Sequence, residues 1–174
     1  LIARFAAGKG GAIACPVKPT DIERETEDAL NATGAETVIV LNRFYGKVKA
    51  VQAQTSVKRV VATSIKEYLP WYLRLAYTFL KEKKEGERIT VAKEDFRFSR
   101  LLRRFRGVTP RISDASLDDP AVILMSGGTT GTPQGVTGSH RGIVVAGSQL
   151  PAWRRPPMNE WTDKIMLPLP LFHV

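Results

Sequence analysis

Between residues 10 and 63 the chain alternates short runs of apolar and β-branched residues with stretches of helical periodicity. "GAIACPV" predicts a buried strand that ends at Pro16. "PTDIERETEDALNATG" predicts a helix with Thr20 as N-cap, Glu23 at the capping-box position, Gly34 as its stop, and Ile22, Ala29 and Leu30 on the inner face. Strand "ETVIVL" (36–41), helix "RFYGKVKAVQAQT" (43–55) and strand "VKRVVAT" (57–63) follow. Strands spaced by helices of this length point to βαβ units and a parallel sheet, hence an α/β fold.

The pattern changes after Glu67. "YLPWYLRLAYTFLKEKKEG" (68–86) predicts a helix with Pro70 in its first turn and Gly86 near its end. Its apolar residues run nearly all the way round, the mark of a buried helix. The apolar stretch Leu69–Leu80 is twelve residues long and contains Arg74, too short to cross a bilayer. A second use of segment 69–84 is shallow membrane contact. Trp71, Tyr72 and Tyr77 would then sit at the interface and Lys81, Lys83 and Lys84 would face lipid phosphates. "EDFRFSRLLRRFRG" (94–107) predicts an amphipathic helix with Phe98, Leu101, Leu102 and Phe105 on one side. After the linker "SDASLDDP", strand "AVILM" (121–125) runs straight into a glycine-rich stretch. "HRGIVVAGSQLPAW" (140–153) predicts a helix, and "DKIMLPLPLF" (163–172) a strand interrupted by prolines.

Charge adds one feature. Of the formal +9, more than half arises between Lys81 and Arg106, where ten Lys and Arg face five Asp and Glu. Such a surface attracts anions, but no nucleic-acid module surrounds "RLLRRFRG", so nucleic acid is not an expected partner. The single cysteine, Cys15, excludes a disulfide or a cysteine-based zinc site within the chain and fits the cytoplasm. The chain opens on Leu1 and stops at "PLPLFHV", and is expected to be a piece of a longer protein.

The chemistry is concentrated in "MSGGTTGTPQGV" (125–136), which holds four glycines, three threonines and a serine. Free backbone N–H groups beside hydroxyls suit an anion with many oxygens, above all phosphate. The G-x-x-x-x-G-K-[ST] and G-x-G-x-x-G patterns are both absent. Pro133 and "GVTGS" oppose a helix directly after the loop, and a plain hairpin turn would need one or two glycines rather than four.

"SGGTTGTPQG" (126–135) resembles the phosphate-binding signature of the adenylate-forming superfamily, roughly [ST]-[SG]-G-T-T-G-x-P-K-G, at every position but one. "GAIACPVKPTDIERETEDALNATGAE", "SHRG" (139–142) and "PLPLFHV" (168–174) are similar, in the same order, to further segments of that superfamily. "TSIKEYLPWYLRLAYTFLKEKKEG" (63–86) resembles a segment of long-chain fatty acid–CoA ligases. The resemblance implies that residues 1–174 form part of a large N-terminal AMP-binding domain, of layered β-sheets flanked by helices, without its downstream motifs or its C-terminal domain. It implies a reaction in which ATP, as its Mg2+ complex, activates a fatty acid as the acyl-adenylate, which coenzyme A then captures. The 174 residues alone are expected to be inactive.

By the same resemblance, Ser126, Gly127, Gly128, Thr129, Thr130 and Gly131 hold the ATP phosphates, and His173 lines the acyl and adenylate pocket. Gln134 stands where the superfamily usually has lysine. No protein ligand for a metal is assigned, and His140 is expected to be structural. Two alternatives stay open: activation of another carboxylic acid, or a non-catalytic relative that binds lipid or nucleotide.

Overall fold

The structure, a computed structural model, describes residues 2–19, 21, 23–110, 113–125, 134–153, 159 and 162–164. It divides into two compact units, residues 19–109 and residues 1–18 with 110–174. Thr20 and Ile22, and most of the predicted strand 163–172, lie outside the described residues.

Residues 19–109 carry the expected α/β pattern. Helix α2 (Glu23–Thr33) ends where Gly34 takes φ +59°, a left-handed conformation that favours glycine. Strand β1 (Thr37–Leu41) leads directly into helix α3 (Asn42–Val51), a 3-10 turn follows at Gln52–Gln54, and strand β2 (Arg59–Thr63) returns parallel to β1. The register runs from Thr37 opposite Arg59 to Leu41 opposite Thr63.

Strand β2 lies in the middle of this sheet, so Val60, Val61 and Ala62 are buried one after another rather than alternately. Leu30 of α2 and Tyr45, Val48 and Val51 of α3 close over the sheet and complete the core. Ala29 and Leu30 thus face inward as the periodicity predicts.

Three expectations need correction. "GAIACPV" does not form a strand. It contributes one parallel bridge, Ala14 to Val122, and Ile13 stays exposed. Segment 94–107 is not one helix, because Phe96 and Arg97 form a third parallel strand, β3, opposite Val61 and Ala62, and helix α5 covers only Phe98–Arg104. The free edge of β2 captures two residues whose helical pattern gave no sign of it. On α5, Phe98 and Leu101 are half-buried, whereas Leu102 and Phe105 are exposed.

Third, helix α4 (Trp71–Leu80) has no buried residue: Trp71 is 75% exposed, Phe79 83% and Leu80 69%. Among the described residues it packs on the 3-10 turn Ile65–Tyr68 that precedes it, and nothing covers its apolar surface. Burial and a hydrogen bond donated to Glu85 push the Tyr77 hydroxyl up to about 12, so it stays protonated at neutral pH.

One buried network ties α3 to the segment before β3. The Tyr45 hydroxyl donates to Asp95 Oδ2 at 2.5 Å and accepts from the Ala92 N–H at 3.0 Å, while Lys49 Nζ lies 3.0 Å from the same carboxylate oxygen. Burial first, then the Asp95 carboxylate, raises Tyr45 above the ordinary tyrosine value. A raised folded-state pKa means that this contribution is fully present below the unfolded tyrosine pKa and is lost as pH rises through the folded one. Tyr45→Phe leaves the Ala92 N–H without its acceptor and removes one of the two donors to Asp95 Oδ2, and is expected to cost about 1–3 kcal/mol. A shift of the urea midpoint to lower concentration checks it; an unchanged midpoint would show that the network contributes nothing.

Candidate functional site

The residues of the glycine-rich stretch are presented by a hairpin. Strand β4 (Pro120–Met125) pairs antiparallel with β5 (Gly135–Ser139), so Met125 faces Gly135 and the nine residues 126–134 must span the gap between them. Ser126, Gly127, Gly128, Thr129, Thr130 and Gly131 belong to this connection and lie outside the described residues, as does His173. Gln134 is described and exposed beside Gly135. The structure therefore brings together the two ends of the predicted phosphate-binding stretch.

Strand β5 was not visible in the sequence pattern, because "GVTGS" is too poor in side chains to read as a strand. Its glycines are what the pairing requires. A Cβ at Gly138 would stand 2.9 Å from Val122 Cγ1, and one at Gly135 would stand 3.0 Å from Ile123 Cγ2. Both neighbours are β-branched and stiff at χ1, and Val122 is buried, so neither can swing aside cheaply. Glycine here is a packing solution, and Gly138 has none of the backbone conformation that would otherwise demand it.

The open end of the hairpin is clamped. Asp118, just before β4, accepts two hydrogen bonds from the Arg141 guanidinium just after β5, at 2.8 and 3.1 Å. The Arg141 N–H donates to the Leu117 carbonyl at 2.7 Å and the His140 N–H to the Asp119 carbonyl at 3.1 Å. Arg141 holds the Asp118 carboxyl below the usual carboxylate range. The pair is exposed, so its value is geometric register more than stability.

Helix α6 (His140–Trp153) then begins with Ser139 as its cap, the hydroxyl accepting from the Gly142 N–H at 3.2 Å. His140, half-buried, opens this helix, and a Cβ on Gly8 of helix α1 (Ile2–Lys9) would lie 3.9 Å from its ring, which fits a packing role. On the other edge of β4 the Ile123 N–H donates to the Ala14 carbonyl at 2.9 Å, and the Ala14 N–H to the Ala121 carbonyl at 3.1 Å. β4 is therefore held along both sides while its C-terminal end delivers the loop.

A second polar assembly, absent from the sequence reading, occupies the C-terminal ends of β1 and β2. Asn42, Ser64 and Glu87 are all buried; Ser64 Oγ donates to Glu87 Oε2 at 2.9 Å and Asn42 Nδ2 to the Glu87 carbonyl at 3.0 Å. Separations of 23 and 45 residues leave no local signal for it. Among the described residues no group of three His, Cys, Asp or Glu is placed to hold a metal ion.

Comparison with known proteins follows this geometry. The profile of the AMP-binding enzyme family matches residues 1–174. The long-chain-fatty-acid–CoA ligase of Bacillus subtilis (strain 168) is 26% identical over 167 residues, which cover 94% of this chain and 29% of that protein. That of Haemophilus influenzae is 30% identical over 180 residues, covering 99% and 31%. The chain thus spans just under a third of the curated relatives it matches.

Among solved structures, a long-chain-fatty-acid–CoA ligase from Archaeoglobus fulgidus superposes with a TM-score of 0.56 at 25% identity, covering 86% of this chain and 24% of that one. An anthranilate CoA ligase in complex with anthranoyl-AMP superposes with a TM-score of 0.61 at 18% identity, covering 80% and 22%, a likeness of fold. These neighbours fix the fold class as part of the α/β N-terminal domain of adenylate-forming enzymes.

The crowding at β5 makes a prediction. Gly138→Ala forces the added methyl against Val122 and is expected to destabilise the hairpin by about 1–3 kcal/mol. Hydrogen exchange at the β4 amides reads it directly. Faster exchange there with unchanged exchange in β1 and β2 is expected, and unchanged exchange in β4 would refute the packing account.

Proposed function

This chain belongs to the AMP-binding enzyme family, and on that premise we propose that the protein carrying it is a long-chain fatty acid–CoA ligase that forms AMP. The observation that carries the proposal is the hairpin that closes residues 126–134 between two paired strands. The long-chain-fatty-acid–CoA ligases among its relatives support the acyl substrate.

The donor set of the loop suits a triphosphate. Residues 126–134 contain no carboxylate, only N–H groups, four hydroxyls and the Gln134 amide. In this reading a fatty carboxylate oxygen attacks the α-phosphorus of ATP, the bond to the β-phosphate breaks, and pyrophosphate leaves with the electron pair. The loop N–H groups and the hydroxyls of Ser126, Thr129 and Thr130 hold the β- and γ-phosphates where that charge gathers. The coenzyme A thiol, losing its proton, then displaces AMP from the acyl carbon, with His173 lining the pocket. Mg2+ would accompany ATP and supply positive charge at its phosphates, and the loop, which has no carboxylate, would hold that complex through its N–H groups and hydroxyls.

Gln134 replaces a mobile cation by a neutral donor. A hydrogen bond to a charged group is worth roughly 1.5–3 kcal/mol when charge-assisted and roughly 0.5–1.5 kcal/mol otherwise. Gln134→Lys is therefore expected to raise kcat/KM for ATP by about tenfold. The assay is fatty-acid-dependent ATP–pyrophosphate exchange by the protein that carries this chain. Exchange with palmitate but not with acetate or amino acids supports the ligase. Exchange with another acid class alone moves the activity to that acid, and no exchange with any acid in a folded protein leaves a non-catalytic relative.

The protein is further proposed to work in the cytoplasm and to touch the membrane through residues 69–84. Trp71, Tyr72, Phe79 and Leu80 are exposed on α4, and Lys81, Lys83 and Lys84 follow it. No helix among the described residues is long and apolar enough to cross a membrane. Replacing the three lysines by glutamine is expected to weaken binding to phosphatidylserine vesicles about a hundredfold, at about 1 kcal/mol each. Undiminished binding in a vesicle-sedimentation assay would dismiss this contact.

A further inference from the structure

Helix α4 has ten residues, and none of them is buried. An isolated helix of that length is marginal in water, and in a folded protein the packed face supplies most of a helix's stability. Trp71, Leu75 and Phe79, four residues apart along one side of α4, are all exposed. What holds α4 in place is therefore to be sought at its two ends.

The bonds are distributed accordingly. Among the described residues, no hydrogen bond or ion pair made by residues 68–81 leaves the segment 66–85. The base of the segment is fastened instead. Lys66, in the 3-10 turn before the helix, pairs with Glu82 just after it, and both side chains are largely shielded from water. Behind this pair, Ser64 donates to the buried Glu87 carboxylate at 2.9 Å and Asn42 Nδ2 donates to the Glu87 carbonyl at 3.0 Å. On the entering side, Glu67 accepts from the Ser99 hydroxyl at 2.8 Å. The chain thus leaves the sheet after β2 and returns to it through one tied neck.

We propose that residues 68–81 form a hinged arm that opens as one unit while the β1–β2–β3 sheet stays folded, and that the Lys66–Glu82 pair is its latch. With no buried side chain to couple it to the core, the arm opens at a far lower free energy than the whole protein unfolds. Gly86, at φ +67°, lies between the latch and the Glu87 anchor, so the turn that ends the arm sits where a glycine accommodates it. Removing one partner of a shielded ion pair leaves the other charge unmatched and frees the base. The Ser64–Glu87 and Asn42–Glu87 bonds lie on the sheet side of the latch and persist when it opens. The device presents or withdraws the row Trp71, Leu75 and Phe79 without disturbing the sheet. It concerns the protein in water, so it depends neither on the ligase reading nor on membrane contact.

The test is native-state hydrogen exchange of the protein that carries this chain, in lipid-free buffer. Protection of the amides of residues 71–80 is expected to fall at least about a hundredfold below that of residues 60–62 in β2. Glu82→Gln and Lys66→Gln are each expected to speed exchange in residues 71–80 by about tenfold, and the double variant by no more than either alone, with β1, β2 and α3 unchanged. Lys83→Gln, beside the latch and in no ion pair among the described residues, is expected to leave exchange in residues 71–80 as it was. Equal protection of residues 71–80 and 60–62, or equal acceleration of arm and sheet in the latch variants, overturns the arm. Unchanged exchange in Glu82→Gln and Lys66→Gln, or the same acceleration in Lys83→Gln, overturns the latch.

Discussion

Two missing side chains decide whether the glycine-rich stretch can be presented at all. β4 sends Val122 and Ile123 across to β5, and these stiff branched groups fit only because Gly138 and Gly135 stand opposite or beside them. The ladder in turn sets Met125 opposite Gly135 and fixes the distance that residues 126–134 must span. Glycine outside the loop is therefore as necessary as glycine within it, for a different reason. Inside the loop it would free N–H groups for an anion; in β5 it makes room for a neighbour.

The clamp at the other end of the hairpin follows from the same demand. A two-stranded ribbon is marginal by itself in water. Here β4 gains the Ala14 bridge along its second edge, and the strand ends are tied by the Asp118–Arg141 pair and two backbone bonds. Arg141 lies in the "SHRG" segment that marks the family resemblance. Its geometry gives it a local role: it holds the hairpin shut at the end remote from residues 126–134.

How far the sequence could be read depended on how local each cause was. α2, β1, α3 and β2 were legible because the periodicity of each lies within its own segment, and for α2 the stop does too, at Gly34 with φ +59°. β3 was not, because Phe96 and Arg97 are strand only by virtue of the β2 edge beside them. "GAIACPV" failed in the opposite direction: its residues suit a strand, but its pairing stops at one bridge. In the candidate site the motif pointed to residues 126–131, which lie outside the described residues, whereas Arg141–Asp118 and the Asn42–Ser64–Glu87 assembly arise from partners 23 to 45 residues apart. Spacing patterns carry no record of such meetings.

α4 is where local and global causes disagree most openly. Apolar on nearly every side, it has the composition of a core helix, and the hydrophobic effect at about 25 cal/mol per Å² penalises every large side chain it leaves in water. Its edges are not those of a core helix, for Lys81, Lys83 and Lys84 follow at once and Arg74 lies within it. A cover made of protein could bury the apolar face and leave those lysines in water. An anionic lipid surface meets both demands without specific partners: its headgroups take the lysines and its acyl boundary takes Trp71, Phe79 and Leu80. The combination of an uncovered apolar helix and a cationic end is the observation on which the proposed membrane contact rests.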